Sequence, residues 1–272
     1  MVQSAAYYPN LFAFVGSLRC LPAVAEMKQR IQQGYLGRRI AHCDVRLNST
    51  PLIGSNSRYS WRCSEDMGGG VLNFFGSQII DLVLYLLGGQ RAVRVSAVFR
   101  TVQRTTPLIT GIRHITADDV ASLVLETDSN CLVTINLNSH SCSFSQEVTF
   151  TGDVGQLVLR HANLFGRRNL QDAEEEILYL DNSNQKNSMQ ASHVEDEECP
   201  QLYLQGYAHM FDQLRLALSE DRDGELGRSS LATFEDALHV SEVIWAARQS
   251  FIEKNWQRVD NSISGINGGA EK

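Results

Sequence analysis

Three consecutive glycines, Gly68–Gly70, open onto a largely apolar run, Val71 to Leu87, that carries Asn73, Gln78 and Asp81. A glycine triplet in that position has two readings. Without Cβ atoms it lets a ligand approach the backbone, and it also supplies the positive φ that a tight loop needs before a buried helix. Asp81 must find a partner if the run is buried, either as a structural hydrogen bond or as an acid–base group. Gln78 can bond a ligand hydroxyl or satisfy polar groups inside a packed helix, but an amide does not titrate and cannot act as a general base. Trp61, ahead of the triplet, reads as a packing anchor between a loop and a cleft wall. Arg19 follows a short apolar stretch. That is the place where ligands lie on an open α/β sheet, and it also suits an ordinary surface arginine.

Several other chemistries are poorly supported. The six cysteines (Cys20, Cys43, Cys63, Cys131, Cys142 and Cys199) form no C-x-x-C pair and have irregular spacing, which favours free thiols in a reducing compartment over a disulfide framework. His140 with Cys142, and His193 with Cys199, are isolated pairs, so no metal is expected. Gly16-Ser17 and Gly76-Ser77 lack the G-x-S-x-G elbow of serine hydrolases. A net charge of −7 offers no basic field to a phosphate backbone, so nucleic acid is not an expected partner. The apolar run holds too many polar groups for a membrane span. MVQSAAYYPNLFAFVG has no basic leader, and the sequence reads as cytoplasmic.

Of the 272 residues, 43% are hydrophobic and 20% charged, enough apolar content for a sizeable core. Leu11–Gly16 reads as a short buried strand expecting parallel neighbours. A helix follows from Pro22 to Gly34, with proline at its start and glycine past its end. Ile40–Asn48 alternates Ala41, Cys43, Val45 and Leu47 with polar residues, the pattern of a half-buried strand. After the helix from Val71 to Gly88 the period changes to two. Strands are expected at Val93–Thr101, Val120–Thr127, Cys131–Ser139, Gln146–Thr151, Gln156–Arg160 and Ile177–Leu180. The acidic interval Asp181–Glu198 reads as a solvated loop, and Asn261–Lys272 as a fraying tail. Leu204, Tyr207, Phe211, Leu214 and Leu218 make one helical stripe, and Phe234 to Phe251 a second. The result is an α+β fold, a mostly antiparallel sheet of six or more strands with helices on one face.

Three stretches resemble the Gfo/Idh/MocA oxidoreductase family, and within it the animal glucose–fructose oxidoreductase domain-containing proteins. FVGSLRCLPAVAEMKQRIQQGYLG is similar to the family's passage out of its nucleotide domain. WRCSEDMGGGVLNFFGSQIIDLVLYLLGG is similar to its glycine triplet and following helix. FEDALHVSEVIWAARQSFIEKNWQRV is similar to its closing helix and last strand. The resemblance implies residues 1–36 as a remnant of an NAD(P)-binding Rossmann domain with its crossover helix, 37–260 as the C-terminal sheet domain, and 261–272 as a disordered tail. It implies NAD(P) as cofactor in full-length relatives and a cleft drawn from Arg19, Trp61, Gly68, Gly69, Gly70, Gln78 and Asp81. It also implies a homodimer through the open sheet face and, as an alternative location, the extracellular matrix. Two departures accompany it. No G-x-G-x-x-G turn occurs in these residues. The family's G-G-G-x-x-x-D-x-G-x-H-x-x-D helix, laid on the triplet, puts Phe74 at its aspartate and Gln78 at its histidine, while Gly76 and Asp81 match. The expectation is an oxidoreductase homologue with weak or no dehydrogenase activity, or else a non-catalytic interaction module.

Overall fold

A computed structural model describes residues 1–8, 11–109, 112–169, 174–181, 201–218 and 229–259. One nine-stranded sheet organises them: β1 (Ile40–Asn48), β2 (Ala92–Arg100), β3 (Val120–Thr127), β4 (Leu132–Asn138), β5 (Ser145–Gly152), β6 (Gly155–Arg160), β7 (Asn163–Arg168), β8 (Glu176–Tyr179) and β9 (Gln257–Arg258). The order is β8-β7-β6-β5-β1-β4-β3-β2-β9. Only the central pair β1–β4 runs parallel; the other pairs are antiparallel. The period-two pattern decides which face is buried. Cys43, Val45 and Leu47 of β1 lie beside Val133, Ile135 and Leu137 of β4, all at most 1% exposed. Asp44, Arg46, Thr134 and Asn136 point to the other face.

The helices are α1 (Val2–Tyr7), α2 (Pro22–Gln32), α3 (Ser77–Leu86), α4 (Gln201–Ala217) and α5 (Phe234–Glu253). α2, α3 and α5 cover the apolar face, while α1 buries no residue and touches α5. α2 packs on β6–β8 and α5 on β2, while α3 is buried through Ile79, Ile80, Leu82, Val83 and Leu86. Among the described residues no helix is long and apolar enough to cross a membrane. Thr233 caps α5 reciprocally with Asp236: its hydroxyl accepts from the Asp236 N–H, and the Asp236 carboxylate accepts from the Thr233 N–H.

The structure corrects three expectations. Leu11–Gly16 is not a strand with parallel neighbours. Among the described residues its one bridge is antiparallel, the Val15 N–H donating to the Ala232 carbonyl at 2.8 Å. Neighbouring strands are needed to continue a ladder, and the segment beside it is the turn before α5. The docking is done instead by the next turn, where Leu18 and Leu21 are 0% and 1% exposed. Second, β7 carries little period-two signal. One inward position, Gly166, is a glycine because the Tyr35 hydroxyl fills the space a Cβ would take. Third, the expected helix from Val71 opens with a π-helical turn, Leu72–Gly76, before α3. The expected tail and most of the acidic loop fall outside the described residues, as do His193 and Cys199. The five described cysteines are free, with Cys43 and Cys131 fully buried as their strand positions predicted.

One side chain couples this fold to pH. The β2–β3 register slips between Ala92 and Arg94, and the Ala92 N–H donates to Nε2 of His239 at 3.0 Å. Nε2 is therefore unprotonated, and Nδ1 lies between the Arg91 Nη2 donor at 3.0 Å and the Glu242 carboxylate at 3.2 Å. Burial, with the Arg91 charge, holds His239 below its ordinary 6.5, Glu242 opposing. A base whose folded value is depressed stabilises the fold above its unfolded value and loses that contribution as pH falls. Stability should drop on acidification below 6.5, by up to about 1.4 kcal/mol per pH unit. Gln at position 239 can still accept from Ala92, so denaturant melts of His239→Gln should show a flatter pH dependence than the parent. Parallel curves for the two proteins would contradict this.

Candidate functional site

A cleft of about 460 Å³ opens where the segment after β1, the glycine triplet, the π-helical turn and residues 142–144 converge. Its apolar wall is Phe74, Phe75 and Phe144. The Phe74 and Phe75 rings meet edge to face with centroids 4.9 Å apart, and Phe75 lies 6.2 Å from Phe144. Ser49, Thr50, Ser57 and Ser143 add hydroxyl-bearing residues, Cys142 a thiol and Arg62 a cation. Trp61 stands at the rim, 48% exposed, rather than as a buried anchor. Among the described residues lining the cleft there is no Asp, Glu or His. The site can therefore offer stacking surface and hydrogen bonds to a neutral or anionic ring compound, but no carboxylate or imidazole for proton transfer.

Both readings of the triplet meet here, since it forms cleft wall and strained loop at once. Gly68 and Gly70 have φ of +86° and +106°. A Cβ on Gly69 would strike the Arg62 carbonyl, and one on Gly70 the Asp118 carboxylate. Asp118 carried no signal in sequence, because its partners lie far back along the chain. Its carboxylate accepts from the Leu72 N–H at 2.8 Å and its carbonyl from the Val71 N–H at 2.8 Å. Burial pushes the Asp118 carboxyl up, while the Leu72 amide and the Arg248 guanidinium, 3.6 Å away, pull it down. Arg248 of α5 also pairs with Glu65 in the loop ahead of the triplet.

These contacts bear on a dinucleotide. A pyrophosphate on a glycine-rich turn requires free amides at a helix N-terminus. Here the Gly68 and Gly69 amides donate to the Glu65 and Ser64 carbonyls at 2.9 and 2.8 Å. Asp118 already occupies the helix N-terminus as an internal anion. The triplet does not fit a phosphate cradle.

The remaining expected residues gather elsewhere. Arg19 is 7% exposed and not a surface residue. Its Nε donates to Asp81 at 2.9 Å, Nη2 bonds the second Asp81 oxygen, and Nη1 reaches Asp236 at 3.1 Å. Burial pushes the Asp81 carboxyl up against the pull of Arg19. Burial works the same way on Asp236, but the Thr233 N–H and Arg19 hold it below its ordinary value. Asp81 thus has the partner its apolar setting demanded, and the fork ties the Ser17–Cys20 turn to α3 and α5. Gln78 donates to the Gly16 carbonyl at 3.3 Å, and its Oε1 is buried with no hydrogen-bond partner among the described residues. Neither Arg19, Gln78 nor Asp81 lines the cleft.

Residues 24–158 match the GFO/IDH/MocA C-terminal domain. The chain is 36% identical over 266 residues to glucose-fructose oxidoreductase domain-containing protein 1 of Mus musculus, covering 95% of this chain and 66% of that protein. It is 36% identical over 267 residues to protein 2 of the same name from Xenopus tropicalis, covering 96% and 67%. The chain thus spans about two thirds of the length of these relatives. In structure it is similar to an NAD binding oxidoreductase from Klebsiella pneumoniae, with a TM-score of 0.74 at 19% identity over 95% of this chain and 69% of that one.

Gly70→Ala combines positive-φ strain with a collision at Asp118, and should cost at least about 2 kcal/mol. Thermal unfolding of the variant checks this. A midpoint within a degree of the parent would show that the loop does not need glycine there.

Proposed function

Since the chain belongs to the Gfo/Idh/MocA oxidoreductase family, we propose that these residues form its ligand-binding sheet domain without the machinery for dehydrogenation. We assign residues 37–260 to that domain and residues 1–36 to the passage from a nucleotide domain. The observation that carries the reading is Phe74, lining the cleft where the family resemblance has a carboxylate. Taking the proton of an alcohol as hydride leaves requires a group that titrates near neutrality, and neither Phe74 nor Gln78 does. Loss of one positioned acid–base group slows catalysis about 10²–10⁴-fold. The cleft binds and orients a ring compound by stacking and hydroxyl bonds, and excludes water from one face of it. The occupied triplet amides support the companion reading, that NAD(P) is a cofactor of full-length relatives and is not held tightly by these residues.

The purified chain with NAD⁺ or NADP⁺ and a panel of sugars and polyols should show no turnover. Calorimetry should show no saturable nucleotide binding below about 1 mM. Robust turnover, or micromolar binding, would overturn the reading.

A second reading rests on the uncovered face of the sheet. Across its centre, register rows such as Asp44, Thr134, Val124 and Ser96, and Arg46, Asn136, Ser122 and Val98, mix hydroxyls, amides, charges and exposed apolar groups. A standard interface buries about 1,600 Å², within reach of one face of this sheet. On this reading the domain pairs with a second copy through that face. Sedimentation at tens of micromolar should give a dimer, and a monomer there would count against it.

A further inference from the structure

We propose that Lys28 is an acylation site, its amine set in a small cavity against Tyr85 and open to a small anionic acyl donor of the acyl-phosphate class. The cavity is about 200 Å³ and shares no lining residue with the cleft. It opens between α2, the end of α3 and the start of α5, with Lys28, Tyr85, Gly88, Gly89, Arg91 and Asp236 among its walls.

Lysines ordinarily carry their charge out to water on a flexible stem. Lys28 is only partly exposed. Its Nζ lies 3.2 Å from the centroid of the Tyr85 ring and donates to the Tyr85 carbonyl at 2.9 Å. Charged and titratable groups face this corner from every element around it: Arg19 from the turn before α2, Asp81 and Tyr85 from α3, Arg91 from the segment after it, and Glu235, Asp236 and His239 from α5. The nearest acids are already committed, because Asp81 and Asp236 both pair with Arg19. Lys28 has no carboxylate within ion-pair distance among the described residues. Burial first, and the Arg19 guanidinium second, bring its amine down to about 8, with Asp236 pulling the other way. A desolvated lysine beside another cation is a standard arrangement for an amine nucleophile.

The step is an acyl transfer. The neutral Nζ attacks the acyl carbon and a C–N bond forms. The bond from that carbon to the phosphate oxygen breaks, phosphate leaves with the electron pair, and the proton on nitrogen passes to solvent. Nothing is oxidised or reduced. Arg91, 35% exposed at the rim, provides a guanidinium for the donor's phosphate while it pairs with Glu242. The neutral amide product leaves the Asp81–Arg19–Asp236 cluster with an uncompensated negative charge, so modification changes the electrostatics at the junction of α2, α3 and α5.

The sequence makes the test clean, because it holds only four lysines: Lys28, Lys186, Lys254 and Lys272. Lys254 is exposed and serves as the internal comparison. The folded full chain is incubated with acetyl phosphate, and acetylation at each lysine is followed over time by peptide mass spectrometry. At near-neutral pH Lys28 should be acetylated about tenfold faster than Lys254, the gain in free amine outweighing its lower basicity and partial burial. Its rate should reach half its plateau at a pH of about 8. In urea the preference should vanish. Acetylation of Lys28 no faster than Lys254 in the folded chain would overturn the proposal. So would a preference that survives unfolding, because the local sequence would then be its source.

Discussion

A single desolvated carboxylate, Asp118, holds together the parts of this domain that matter for ligands. It stands two residues ahead of β3 and takes two amide hydrogens at the entrance of the helix that begins with Leu72: one on its side chain, one on its carbonyl. A buried helix entrance without such acceptors would leave donors unsatisfied in an apolar setting, at a cost of about 1–3 kcal/mol each. The backbone passes so close to the carboxylate that only glycine fits at position 70. The same contact therefore fixes the π-helical turn, aims Phe74 into the cleft and shapes the cleft floor. Arg248 carries the arrangement across to α5 through Glu65 and Asp118.

Arg19 solves a different problem. Two carboxylates from separate helices, Asp81 and Asp236, share one guanidinium fork in a largely dry corner. Burying such charges is costly, and removing any one partner strands the others. The network is better suited to fixing how the Ser17–Cys20 turn docks than to adding net stability. It also keeps its charges apart from the cleft, whose described lining has aromatic rings, hydroxyls, one thiol and one arginine.

That separation bears on how far a family fold can be taken toward a reaction. A shared fold leaves the chemistry to specific side chains in the site. Here the sheet and helix scaffold persists, while the groups facing the cleft among the described residues are aromatic rings, hydroxyls, a thiol and a guanidinium, with no carboxylate or imidazole.

Much of the fold was legible along the chain. Period-two burial gave β1 to β6 within a residue or two, the proline and glycine signals gave α2, and the apolar stripe from Phe234 gave α5, because each depends on residues near one another in sequence. Where an inward position was a glycine, as in β7, the pattern had nothing to report. The Leu11–Gly16 stretch has strand composition but no ladder beside it, and only neighbouring chain can supply one. The site divides in the same way. The glycine triplet, Trp61 and Phe74 could be named from sequence because a local loop and helix carry them into the cleft together. Sequence could say that Asp81 needed a partner but not that the partner was Arg19, and it was silent about Asp118, Arg248 and the position of Lys28 against Tyr85. Those contacts join residues dozens to more than a hundred positions apart, so they exist only once the chain has folded and excluded water between them.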